Sequence, residues 1–523
     1  MKMKPDSESK SQIFNIPRLM IAAPASGSGK TTLTCALLRL LQNRGKSPVS
    51  FKCGPDFIDP LFHEQVLGVP STNLDSFFVD EEEVRGIFAE KIFSQSQNEK
   101  KPADFAVIEG VMGLFDGLAG KSLKASSYDI ARITNTPILL CVDASGMSRS
   151  IVPLVKGFLD YDRLQHKNGE NLIKGIFLNK VTKGSFQLLK TLIEEESASY
   201  GVKVIGFLPK DSEIALESRH LGLFLPDEIK DLNSRIQKSS QILDETTDFT
   251  ELVNLFSARG DFKGLALRAQ LFGRLTKNSP CEFLPCIAVP FPTLGEGVAP
   301  NEVGAKGETS PIPNSALKIA VARDEAFCFY YDENLRLLEE SGANLVYFSP
   351  LHEKALPSGI GGILLGGGYP ELHAAELEAN RSMRESIKSA VENGIAVMAE
   401  CGGFMYLQEK LTDKDGVFYE MCGAIKGECT YTGKLVRFGY AEFASKEEEK
   451  TEGGWEKLSV RGHEFHYFDS TNNGSDFTAK KPLSSRSWDC MIHTEKMLAG
   501  FPHLYYRSNP KIVEWFLESC KKD

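Results

Sequence analysis

The run at residues 23–32, APASGSGKTT, constrains this chain more than any other segment. It follows an apolar, strand-like stretch at 19–23 and leads into an amphipathic, helix-like stretch at 31–44. Glycines let a backbone turn its N–H groups toward an anion, and the start of a helix adds a partial positive charge. Strand, glycine-rich loop and helix in that order make a phosphate-binding loop. The candidate nucleotide-binding residues are Gly27, Ser28, Gly29, Lys30, Thr31 and Thr32. Lys30 is placed to reach the β- and γ-phosphates of ATP, and the Thr31 hydroxyl to bind Mg²⁺. The usual spacing would put a first glycine at position 24, where this chain has Pro24, so the loop is a variant form.

Such a loop implies a sheet around it. Apolar runs at 19–23, 49–52, 105–109, 138–143, 175–179 and 204–208 alternate with helix-like segments. That alternation predicts a mostly parallel, doubly wound α/β domain over residues 17–265. Carboxylates at the C-terminal ends of such strands converge on the ligand crevice. FKCGPDFIDP supplies Asp56 and Asp59, and AVIEGVMGLFDG supplies Glu109 and Asp116. Acidic groups beside a triphosphate bind Mg²⁺ directly or through water.

Residues 266–316 are rich in Pro and Gly and read as an interdomain linker. The Cys281–Cys286 pair within it has no partner cluster at ligand spacing. A second alternating block fills 317–523, through KIAVARD, GGILLGGGYPE and GIAVMAECGGFMYL, becomes β-like after Leu411, and closes on a short helix near 511–520. Residues 1–16 read as a polar, disordered tail.

Within the second block, AVMAECGGF puts Cys401 straight after a buried strand and before a helix. A thiol on such a turn stands at a helix N-terminus, which favours the thiolate nucleophile. It needs a base, and among the nine histidines His503, His463 and His466 are the competitors. The loop at 364–371 offers backbone N–H groups for an oxyanion.

The net charge of −10 argues against a nucleic-acid partner. No window holds about 18 consecutive apolar residues, so no membrane span is expected. Eleven scattered cysteines without a framework, and a polar start lacking an apolar signal core, point to a reducing, cytoplasmic setting.

With both sites located, the chain resembles the cobyrinate a,c-diamide synthase family of cobalamin biosynthesis. The resemblance rests on APASGSGKTT, FKCGPDFIDP, EGVMGLFDG, RHLGL, LGGGYPE, AECGGFMYL, RGHEFHY and HLYYRSNP in combination. It implies a dethiobiotin-synthetase-like P-loop domain followed by a class I glutamine amidotransferase-like α/β domain. By the same resemblance Cys401 is the glutaminase nucleophile and His503 its activating histidine. Lys30 and Thr31 match the nucleotide and Mg²⁺ residues, Asp56 and Glu109 their acidic partners, and Asp59 and Asp116 the carboxylates of the substrate side. The implied partners are ATP, glutamine and a tetrapyrrole carboxylate, with no membrane partner and a homodimer left open.

The sequence also departs from the pattern. Phe57 and Phe115 stand where the family often has Tyr, and Tyr505 where relatives often carry a second His. A Cys–His dyad is then expected, with Tyr505 or a backbone group orienting His503. Ni-sirohydrochlorin and hydrogenobyrinate are the alternative substrates, with cobyric acid synthase a weaker match. A partition-type ATPase switch with a degenerate second domain is the reading of a different class, but such switches carry an early loop lysine where this chain has Ala25.

Overall fold

The computed structural model describes residues 16–98, 103–165, 169–214, 216, 218–219, 222–223, 231–257, 317–451 and 454–521. The expected tail before Ile16, the linker at 266–316 with its Cys281–Cys286 pair, and part of RHLGL lie outside the described residues.

The first domain is built on seven parallel strands: β1 (Arg18–Ala22), β2 (Pro48–Cys53), β3 (Ser71–Leu74), β4 (Phe105–Glu109), β5 (Ile138–Asp143), β6 (Ile173–Asn179) and β7 (Lys203–Leu208). Their order is β3-β2-β4-β1-β5-β6-β7, so β1 is central and the chain winds away from it in both directions. Strand alternation explains the double covering. Met20 and Ala22 of β1 pack into one core, while Leu19 and Ile21 pack into another on the opposite face.

The helix after the phosphate loop, α1 (Lys30–Asn43), buries Leu33, Ala36, Leu37, Leu40 and Leu41. That is the 3-and-4 spacing of one helical face, and each leucine so buried contributes about 1.5–3 kcal/mol. Six of the seven strands fall where the apolar runs predict. The exception is β3, whose sequence STNL is polar although all four residues are buried.

The second domain repeats the principle on a six-stranded sheet. Leu317–Ala322, Ala343–Phe348, Gly362–Leu365, Ala396–Glu400 and Met497–Gly500 run parallel, and Ile492–His493 joins antiparallel at the edge. Ile319 and Val321 face one core, Ala320 and Ala322 the other. The β-like texture after Leu411 resolves into a four-stranded sheet and a five-stranded antiparallel sheet. The latter carries the long hairpin Arg437–Thr451 and Gly454–His466. Helix Lys511–Lys521 closes the domain.

The two domains meet through directed polar contacts. Thr72 donates to Glu333 at 2.9 Å, Lys91 to Asp332 at 3.1 Å, Tyr440 to Asp75 at 2.7 Å, and Arg461 to the Phe77 carbonyl at 3.0 Å. Phe78 of the first domain stacks on Tyr505 of the second at 4.8 Å.

Candidate active sites

The phosphate loop leaves β1 and exposes Ala25, Ser26 and Gly27 to solvent before turning into α1. Gly29 takes a left-handed φ of 93° at the head of that helix, where a Cβ would lie 2.0 Å from Asn179 Nδ2. Only glycine fits there, because Asn179 reaches over to hold the Ser28 carbonyl at 2.8 Å. Ser28 is buried and its hydroxyl donates to the Ala25 carbonyl, while Thr32 is half-buried in the first turn. Lys30 Nζ donates to the carbonyls of Ala25 at 3.2 Å and Met112 at 2.6 Å. Burial, and then the neighbouring Lys52, bring its pKa down to about 8.

Below the loop lies a buried charge cluster. Thr31 donates to Glu109 Oε1 at 2.6 Å and lies 3.5 Å from Asp59 Oδ2. Lys52 sits 3.1 Å from Glu109, contacts Asp59, and is 3.8 Å from Asp56. His63 Nε2 is 3.2 Å from the other Glu109 oxygen. Burial alone would push the Glu109 carboxyl up, but Lys52, His63 and Thr31 outweigh it and hold it well below the usual range. Burial works against the Lys52 cation, and Asp59, Glu109 and Asp56 more than restore it.

The structure places Asp59 and Asp56 as follows. Asp59, assigned by resemblance to the substrate side, stands beside Thr31 and Glu109. Asp56, expected at the metal, accepts from the amides of Ile58 and Asp59 at 2.9 and 3.2 Å and remains partly exposed. Asp116 is exposed and accepts from the Gly113 amide at 2.9 Å.

Mg²⁺ fits this donor set. Hydroxyl and carboxylate oxygens are its preferred ligands, and three carboxyls around Lys52 leave a surplus of negative charge. Burial, Asp56 and Glu109 accordingly push the Asp59 carboxyl up. Among the described residues no three His, Cys, Asp or Glu side chains form a complete metal cage.

Lys52 and His63 are not among the residues expected from sequence. Lys52 lies inside β2 and reads as an ordinary strand residue. His63 lies on the turn after GPDFIDP, with no pattern that singles it out.

The thiol site has a different character. Cys401 joins strand Ala396–Glu400 to helix Gly402–Leu407 with φ 48° and ψ −104°, a strained backbone for a non-glycine residue. A Cβ on Gly402 would lie 3.2 Å from the Gly368 amide nitrogen, so the 364–371 loop does run beside the cysteine. Burial first, then the carboxyls of Glu371, Glu400 and Glu464, push the Cys401 thiol far up.

His503 sits on the short strand His503–Leu504, paired with His463 across the sheet. The two imidazoles stack at 4.9 Å with 16° between planes, and Tyr331 bonds His463 Nδ1 at 3.0 Å. Burial, aided by His466, brings the His503 pKa down to about 3, and among the described residues its Nδ1 has no hydrogen-bond partner. Tyr505, one candidate to orient it, stacks on Phe78 instead. His466 bonds the Phe468 carbonyl at 2.6 Å and stacks on Phe501 at 4.0 Å, a structural role.

Glu400, also outside the sequence expectation, is buried next to Cys401. Tyr506 donates to it at 2.9 Å, and burial pushes its pKa up to about 8. It lines a small cavity with Phe329, Tyr331, Gly366 and Tyr506 of its own domain and Phe57 of the first.

Comparison with known proteins agrees with this division. Residues 19–223 match the family described as the CobQ/CobB/MinD/ParA nucleotide binding domain, and residues 318–510 the CobB/CobQ-like glutamine amidotransferase domain. Cobyrinate a,c-diamide synthase of Caldanaerobacter subterraneus subsp. tengcongensis is 35% identical over 96% of this chain and 98% of its own. The protein of the same name from Listeria innocua serovar 6a is 35% identical over 95% and 98%, and that from Priestia megaterium 33% over 96% and 97%. Among the described residues no helix is long and apolar enough to cross a membrane.

Proposed function

The chain belongs to the cobyrinate a,c-diamide synthase family, and on that premise we propose that it amidates the a and c side-chain carboxylates of cobyrinate, using ATP and glutamine. The observation that carries this reading is the junction of the two sites. The turn bearing Asp56 and Asp59 also carries Phe57, whose ring packs 5.2 Å from that of His503 and lines a small cavity with Glu400 and Tyr506 of the second domain.

In the first domain a substrate carboxylate oxygen attacks the γ-phosphorus of ATP, giving an acyl phosphate and ADP. Lys30 moves from its carbonyl partners onto the transferring phosphoryl group and offsets its charge. Thr31, Asp59 and Glu109 would hold Mg²⁺, which when bound supplies further charge neutralisation between the phosphates. Lys52 pairs with both buried carboxyls and holds Glu109 ionised.

In the second domain Cys401 gives its proton to His503 and attacks the glutamine side-chain amide. The imidazole returns the proton to the leaving nitrogen, so ammonia departs and a glutamyl thioester remains. Water then releases glutamate. Ammonia crosses the domain interface and attacks the acyl phosphate, and inorganic phosphate leaves as the amide forms. Two rounds give the diamide.

Product masses test the substrate directly. Incubation with ATP, Mg²⁺, glutamine and cobyrinate is expected to give two successive losses of about 1 Da, one for each carboxyl converted to amide. Reaction only with Ni-sirohydrochlorin or hydrogenobyrinate would overturn the substrate while leaving both sites intact. ATP hydrolysis with no macrocycle amidated would overturn the synthase reading itself.

A further inference from the structure

Phe57 stands two residues before Asp59, yet its side chain belongs to the other active site. The ring is 9% exposed. Its centroid lies 5.2 Å from that of His503, 5.6 Å from His463, 4.6 Å from Tyr331 and 5.2 Å from Phe329. The imidazole needs such neighbours, because among the described residues no group hydrogen-bonds Nδ1 to set its orientation. Packing takes that role. His463 stacks on one side, tethered by Tyr331, and a Cβ on Gly367 would lie 2.3 Å from His503 Cε1. Of these neighbours Phe57 alone comes from the first domain.

The turn that carries Phe57 is tied to the phosphate site at several points. Asn73 Nδ2 donates to the carbonyls of Gly54 and Asp56 at 2.8 Å each. Asp56 caps the amides of Ile58 and Asp59, and Asp59 pairs with Lys52 beside Thr31. A displacement at Asp59 is therefore transmitted to Phe57. We propose that Phe57 is a positioning residue for His503, and that through it ligands in the phosphate site set the orientation of the glutaminase imidazole. This rests on the reading of Cys401 and His503 as a glutaminase. The coupling is reciprocal: a ligand that fixes the turn favours the competent imidazole, and glutamine in the thiol site favours the closed turn.

The titratable groups around that imidazole are His463, His466 and, bonded to His463, Tyr331. None of them is altered by substituting Phe57. Truncating the ring admits water to His503, and because burial is what lowers its pKa, that pKa then rises toward the ordinary value.

The test uses the full chain carrying Phe57→Ala, Phe57→Leu or Phe57→Tyr, and measures glutamate release from glutamine with and without ATP, Mg²⁺ and cobyrinate. Phe57→Ala is expected to lower kcat for glutamine hydrolysis by about 10-fold or more, with a smaller change in KM. The acid limb of its pH profile moves upward, and the rate stops responding to phosphate-site ligands. Phe57→Leu keeps the apolar bulk, so it folds and still loses most of the response, while Phe57→Tyr restores both. Unchanged kcat, acid limb and ligand response in Phe57→Ala and Phe57→Leu would overturn the proposal and leave the glutaminase standing. No glutamine hydrolysis in the unaltered protein would overturn the parent reading, and this proposal with it.

Discussion

The two active sites are built on opposite electrostatic plans. At the phosphate site an ion pair is present in advance, Lys52 and Glu109 both held ionised beside Asp59 and Asp56, with Thr31 and His63 on Glu109. At the thiol site every titratable group that matters is pushed toward its neutral form, Cys401 and Glu400 upward and His503 downward, all by burial. The difference follows from what each must handle. A polyanion and its cation are bound well by fixed charges that need no reorganisation. Ammonia must remain unprotonated to act as a nucleophile, and a buried carboxylate near its exit would hold it as ammonium.

The largest effects come from removing the central residue of each site. Cys401→Ala is expected to lower glutamine-dependent amidation by about 10⁴-fold or more, since removing a catalytic nucleophile has effects of that order. Free ammonia at high concentration should restore the rate, because the phosphate site is untouched. Lys30→Ala is expected to lower amidation by about 10³-fold with either nitrogen source, while glutamine hydrolysis survives. Product formation and glutamate release, measured in parallel, check both. Loss of ammonia-supported amidation in Cys401→Ala would mean that the sites are not separable and that the contrast between them is false.

How far each site could be read in advance differs for the same physical reason. The phosphate loop is a local object: its glycines, lysine and threonine are consecutive, and the strand and helix around it are strongly patterned. Cys401 was legible likewise, from a buried strand meeting a Gly-Gly helix start. Asp59 was legible as a site residue, but its place beside Thr31 depends on how the 54–59 turn folds back over β2. Lys52 and His63 were not legible, because a lysine inside a strand becomes informative only when tertiary packing buries it among carboxylates. Glu400, Phe57 and the stacked pair His463 and His503 depend on contacts across domains or across a sheet between residues far apart in sequence. The strand β3 escaped because STNL lacks the apolar alternation that marks the other strands.

The next test sharpens the phosphate-site half of the contrast. Lys52→Met fills the space of the side chain but leaves Glu109 and Asp59 buried without their cation. Breaking a buried ion pair in this way costs about 3–5 kcal/mol. Urea unfolding should show that loss in the transition of the first domain, with saturating Mg²⁺ and ATP recovering part of it by binding only the folded state. A neutral or stabilising result would mean that the carboxyls sit protonated and that the site is not charged in advance.

The smallest effect probes the neutrality of the thiol site through Glu400, whose pKa is pushed up to about 8 by burial despite the bond from Tyr506. An unfolded glutamate titrates at about 4.3. The folded protein therefore holds this proton more tightly than the unfolded chain, and the contribution is full below about pH 4.3 and lost as pH rises toward 8. Glu400→Gln cannot titrate, so its stability lacks this term, and Tm of the variant minus Tm of the unaltered protein should grow steadily from pH 5 to 8. With a slope of at most about 1.4 kcal/mol per pH unit and about 2–4 °C per kcal/mol, the gap widens by roughly 2–5 °C for each unit. Asp75, which burial pushes up to about 6, titrates in the same window but is present in both proteins and cancels in the difference. A gap that stays constant across this range would show Glu400 already ionised at pH 5. The thiol site would then hold a buried carboxylate like those around Lys52, and ammonia would leave Cys401 past a fixed negative charge.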